Sequence, residues 1–159
     1  MKNLLLLIVL IALVACKDDA SHNNKVKENP STKVITKKMG CENCGMNIEQ
    51  FIQTGHAVQT EDGINHYYCS INCCTKAWNR NSYSDASVFA IDYNSGEFTP
   101  VDSVYYVIGS IFPAVMTKVS KYAFKDSTLA EKFKIKQKGK TILGYKETFK
   151  MCEDEFAKR

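Results

Sequence analysis

Read from its N-terminus, the chain opens on an unbroken apolar run, Leu4 to Val14, behind a single cation at Lys2. Crossing a hydrocarbon core takes about 20 helical residues, so this shorter run reads as the apolar part of a signal peptide, residues 1–15. From Lys17 to Lys33 apolar side chains nearly vanish, and Asp18, Asp19, Asn23, Asn24, Glu28 and Pro30 mark a stretch that cannot support a core. Residues 16–33 are therefore expected to form a flexible tether with a reach of roughly 20–25 Å. The domain that follows is assigned to residues 34–159.

Within that domain the pattern changes to short alternating runs. Thr54 to Gln59 and Ile64 to Cys69 flank Asp62-Gly63, a hairpin signal. Ser70 is a good N-cap, and Ile71, Cys74, Ala77 and Trp78 recur at helical spacing until Asn79 to Ser82 interrupt them. Val88 to Tyr93 then reads as a strand, which gives a ββαβ order. The second half repeats it: Val104 to Ile108, Thr117 to Phe124, a helix from about Ser127 with Gly139 as its stop, and Thr141 to Tyr145. Tyr67-Tyr68-Cys69 and Tyr122-Ala123-Phe124 fill matching slots, as do Trp78 and Phe133, at an offset of 55. The expected fold class is α+β, with tandem ββαβ repeats over about 54–98 and 104–146 and a final helix from Glu147 to Ala157. In that helix Phe149, Cys152 and Phe156 share a stripe, so Cys152 is expected as a packed core thiol.

Composition sharpens this picture in two places. At 159 residues, 45% hydrophobic and 24% charged, the chain has the make-up of one folded domain. The net charge of +4 comes from lysines spread along the sequence, and without a nucleic-acid module it names no nucleic-acid partner. Seven cysteines are too few for a disulfide scaffold and too many to pass over, which points to local sulfur chemistry. One of them is Cys16, in Leu13-Val14-Ala15-Cys16; this resembles the lipobox of bacterial lipoproteins, in which the thiol is acylated and becomes the first residue of the mature chain. The protein is then expected to be lipid-anchored in the bacterial cell envelope, facing the periplasm or the cell surface.

The densest chemistry lies in Met39-Gly40-Cys41-Glu42-Asn43-Cys44-Gly45-Met46. On an extended segment Cys44 and Met46 would point to the same side and could meet one ion. Thiolate with thioether suits Cu(I), whereas Zn(II) prefers thiolate and imidazole. Cys69 and Cys73 form a second pair at a strand-to-helix turn, where the helix dipole readies a thiol as a ligand, while Cys74 is turned about 100° away and is expected to pack. C-x₂-C followed by C-x₃-C over Cys41, Cys44, Cys69 and Cys73 could equally close a tetrahedral zinc site or form two disulfides. His56 and His66 flank the hairpin as further potential ligands, although a core or exposed histidine is the commoner outcome. The sequence holds no Ser/His/Asp set, phosphate loop or paired-carboxylate motif, so no enzyme is expected. A thiol-disulfide oxidoreductase ranks third, since C-x-x-C redox sites sit at helix starts.

Cys44-Gly45-Met46, the lipobox and the run Tyr106-Val107-Ile108-Gly109-Ser110 with Met116, Phe124, Ala130, Phe133 and Gly139 resemble the NosL family, accessory proteins of nitrous-oxide reductase. The resemblance covers residues 38 to 150. It implies a lipoprotein of two ββαβ units that binds Cu(I) and passes it to an apo copper enzyme such as nitrous-oxide reductase. Cys44 and Met46 match the family's Cys-x-Met ligand pair, and Met116 falls where a later family methionine lies near the site. Cys69, Cys73 and Cys74 are additions to the simpler family pattern and resemble TRASH and YHS-type metal modules, which keeps a structural zinc reading open. The implied partners are the copper enzyme and, through the anchor, the membrane; a homodimer is left open.

Overall fold

The computed structural model of the chain describes residues 28–158, so the signal run and Cys16 lie outside the described residues. The last tether residues are inside them. Pro30 is buried, Ser31 caps a short 3-10 turn at Thr32–Val34, and Gln59 Nε2 donates to the Glu28 carbonyl at 2.8 Å.

The first unit begins with strands β1 (His56–Gln59) and β2 (Asn65–Tyr68), antiparallel with His56 opposite Tyr68. Their turn runs through Asp62 and Gly63, and Gly63 has a φ of 83°, a conformation that glycine adopts without steric cost. Helix α1 (Ile71–Asn81) follows. Ser70 caps it by accepting from the Cys73 amide at 3.4 Å, and Ser82 ends it in the left-handed conformation. Strand β3 (Ser87–Ile91) returns to pair with the other side of β1, and β4 (Phe98–Pro100) extends the sheet to the order β2-β1-β3-β4.

The second unit contains β5 (Tyr105–Ile108), β6 (Lys121–Phe124), α2 (Ser127–Lys136) and β7 (Thr141–Leu143), and its sheet order is β6-β5-β7. In both units the first strand lies between the second and the third, all antiparallel, as a duplicated ββαβ requires. Helix α3 (Tyr145–Ala157) completes the α+β fold.

Four details differ from the sequence expectation. Strand β4 was not expected; it is three residues long and ends in a proline, too little pattern to read. Strand β6 starts at Lys121 instead of Thr117, because Met116 is left-handed at φ 59° and a loop over 109–120 closes only where Gly109 N donates to Ser120 O. Helix α2 stops through Lys138, left-handed at φ 52°, with Gly139 N donating to Lys134 O and Lys138 N to Ile135 O. Gly139 serves another need, since a Cβ there would lie 2.7 Å from Val107 Cγ1. Finally, α3 starts two residues early, at Tyr145, with Thr148 Oγ1 donating to Gly144 O.

The two sheets share one core. His56 on β1 and Tyr106 on β5 are both fully buried and join through Nε2 and the phenol at 2.9 Å. Tyr93 N donates to Ala123 O, and Asp92 Oδ1 accepts from Lys125 N at 2.9 Å, stitching the first unit to β6. A satellite cluster of Val107, Tyr122, Phe124, Ala130 and Phe133 fills the space under α2.

Candidate metal centre

The segment around Cys41 folds into a tight knuckle for local reasons. Gly40 and Asn47 pair antiparallel, Cys41 N donates to Met46 O at 2.8 Å, and Ile48 N donates to Met39 O at 3.0 Å. Between these limbs Gly45 N donates back to Cys41 O at 2.7 Å, and Gly45 turns the chain with a φ of 77°. Glu42 then docks the knuckle on β2. Its amide donates to Tyr67 O, while its carboxylate accepts from Tyr67 N at 3.0 Å and meets His66 Nδ1 at 2.7 Å.

This docking carries Cys41 and Cys44 to the junction between β2 and α1, where Cys69 follows the strand and Cys73 lies in the first helical turn. Thr54 Oγ1 holds the junction by donating to Cys69 O at 2.7 Å. The ligand atoms of Cys41, Cys44, Cys69 and Cys73 all lie within 4.8 Å of one another, and among the described residues this is the grouping of side chains able to share an ion. Cys44 Sγ is 3.6 Å from Cys69 Sγ, which is 3.7 Å from Cys73 Sγ. Four sulfurs placed tetrahedrally at about 2.3 Å from an ion stand about 3.8 Å apart, close to these two separations. All four are unbridged.

The electrostatics suit a cation. Hydrogen bonds from Cys69 and then Cys73 hold the Cys41 thiol far below the ordinary thiol range. In return Cys69 is pushed up by its bond to Cys41, and Cys73 is pushed up to about 12, chiefly by the same partner. An ion bound here would displace the protons of these thiols. Cys41, Cys69 and Cys73 are buried, whereas Cys44 is half-buried and forms the open edge.

The other candidates fall into place around this core. Met46 is half-buried on the knuckle that carries Cys41 and Cys44. Met116 is 37% exposed in the 109–120 loop. That loop is tied to α1, because Glu155 Oε2 accepts from both Thr117 Oγ1 at 2.8 Å and Asn72 Nδ2 at 2.9 Å. Cys74 and Cys152 are fully buried; burial raises the Cys74 thiol and pushes Cys152 up to about 11, as expected of packed thiols. Neither histidine joins the cluster. His56 has both ring nitrogens engaged, by Thr54 O and Tyr106, and burial pulls it down to about 4, while His66 is turned to Glu42. Sequence reasoning missed Glu42 as the clamp of the knuckle, although its place inside C-x-x-C was the available signal.

Comparisons with known proteins agree with the geometry. The sequence profile of the NosL family matches residues 32–150. No curated protein sequence matches the chain. The crystal structure of the copper chaperone NosL from Shewanella denitrificans superposes with a TM-score of 0.60 at 19% identity, over 76% of this chain and 95% of that one. At that identity the likeness establishes the fold.

Proposed function

Because the chain belongs to the NosL family, we propose that it is a copper-binding envelope protein that holds Cu(I) at the four-cysteine cluster and releases it across Cys44 and Met46 to an apo copper enzyme. Nitrous-oxide reductase is the proposed client. The observation that carries this reading is the asymmetry of the cluster: three buried thiols can retain a soft cation, and one half-buried thiol, two residues along the chain from the half-buried Met46, provides a lip for exchange. Acylation of Cys16 would keep the protein at the membrane, within reach of a client in the envelope.

Chelator competition with Cu(I) on the full chain tests the proposal. Cys69→Ser should abolish tight retention, and Met46→Ala should weaken it by about tenfold without altering the fold. Cys16→Ser should move the protein out of the membrane fraction. A second reading, structural zinc in a Cys₄ site, is favoured by four thiols within 4.8 Å of one another, with Cys69 Sγ 3.6 and 3.7 Å from two of the others. It predicts instead that Met46→Ala is silent and that Cys41, Cys44, Cys69 and Cys73 are each needed for zinc content and folding.

A further inference from the structure

The charges divide between the two units of the fold. Residues 41–103 carry eight acids against two bases, whereas residues 104–146 carry nine lysines against two acids. Of those nine, Lys121 is buried against Glu155 at 2.9 Å and Lys134 pairs with Glu131 at 2.8 Å. Lys132, Lys136, Lys138 and Lys140 are exposed and have no acidic partner among the described residues. They gather on α2 and the turn after it.

The same helix end carries an apolar oddity. Ile135 is 75% exposed and Ile111 67%, the two most exposed large apolar side chains among the described residues. At about 100° per residue Ile135 lies opposite the buried Ala130 and Phe133, on the outermost ridge of α2. Ile111 is brought beside that end because its amide donates to Gln137 O at 2.8 Å. An isoleucine raised on the outer ridge of α2 and another in the adjoining loop, beside a group of lysines, fit no packing role inside the chain.

We propose that this Lys/Ile face of α2 is a membrane-surface contact that rests on anionic lipid headgroups. The chemistry favours lipid over an acidic protein. The cations are all lysines, whose flexible stems let the ammonium reach headgroup phosphates while Ile135 and Ile111 enter the acyl boundary. Recognition of carboxylates on a protein typically uses arginine forks in a matched surface, and this face has none. The opposite charge of residues 41–103 adds a direction. An anionic surface attracts the second unit and repels the first, so the unit bearing the cysteine cluster is held away from the bilayer. This arrangement does not depend on which ion the cluster holds.

Amide exchange of the full chain with vesicles tests it; the comparison rests on the acyl anchor proposed at Cys16, which would hold the protein on either vesicle type so that only the headgroups vary. In vesicles containing phosphatidylglycerol, amides over 109–113 and 131–140 should exchange about tenfold more slowly than in pure phosphatidylcholine, and 0.5 M salt should remove most of the difference. Substituting Lys132, Lys136, Lys138 and Lys140 by Gln should abolish that protection, and Ile135→Ser should reduce it; both act on exposed positions, so far-ultraviolet circular dichroism should be unchanged. Equal exchange in the two vesicle types would overturn the proposal. So would protection that survives the four-lysine change, or protection that arises only on adding an acidic protein such as polyglutamate.

Discussion

The two units share a topology but close their helix–sheet junctions with different chemistry. In the first, Ser70 caps α1 and is flanked by Cys69 and Cys73; in the second, Asp126 caps α2 in the equivalent place and is flanked by Lys125 and Leu129. The sulfur knuckle has no counterpart there. The second unit instead packs Phe112, Tyr122, Phe124 and Phe133 into a ring cluster with Tyr93 of the first unit, with centroids as close as 4.8 Å between Tyr93 and Phe133. One copy of the repeat is closed by an ordinary aromatic core, whereas the other closes its helix–sheet junction on an ion-sized cluster of thiols, three of them buried. The difference teaches that the cysteines are not needed by ββαβ as such.

The strongest way to break that comparison is to remove a cluster thiol. Cys69→Ser should leave the domain folded but speed amide exchange over 39–48 and the first turn of α1, with α2 unaffected; uniform loosening of both units would mean that the cluster supports the whole core. The converse change is Phe133→Ala, expected to cost about 3–5 kcal/mol in denaturant unfolding while leaving metal content intact.

His56 sharpens the comparison because it is buried where the two units meet. Its folded value is depressed to about 4 from 6.5, so between those limits the unfolded chain binds the proton and stability rises with pH. Acidification from pH 6.5 toward pH 4 should therefore remove about 3 kcal/mol, read as a falling urea midpoint, and His56→Gln should flatten that dependence. The smallest effect is expected at Gly139, where an added Cβ meets Val107 Cγ1 at 2.7 Å and Lys134 Cγ at 3.0 Å. Gly139→Ala should cost about 1–3 kcal/mol by displacing β5 from the end of α2, with the first unit unchanged.

Much of this was legible in the sequence because local chemistry enforced it. Asp62-Gly63 marked the hairpin, Ser70 and Asn79 to Ser82 bounded α1, and the spacing of Cys41, Cys44, Cys69 and Cys73 named four sulfurs that could meet. What periodicity could not supply was tertiary. The helix caps lie 56 residues apart, not 55, and β1 and β5 start 49 apart, because the loop over 109–120 is longer than the turn between β1 and β2. A single offset across the repeat therefore misaligned Tyr67 and Tyr122 by one residue. Lys138 took the left-handed position that glycine usually fills, since Gly139 was needed for close approach to Val107. That Cys44 alone forms the open edge follows from the docking of Glu42 on Tyr67, a contact 25 residues apart in sequence.

X-ray absorption at the copper edge of the full chain loaded with one equivalent of Cu(I) tests the central claim most directly. The account predicts a single shell of sulfur scatterers at about 2.3 Å, lost in Cys69→Ser and altered in Cys44→Ser. A shell of nitrogen or oxygen ligands, or a sulfur shell that survives Cys69→Ser unchanged, would contradict it.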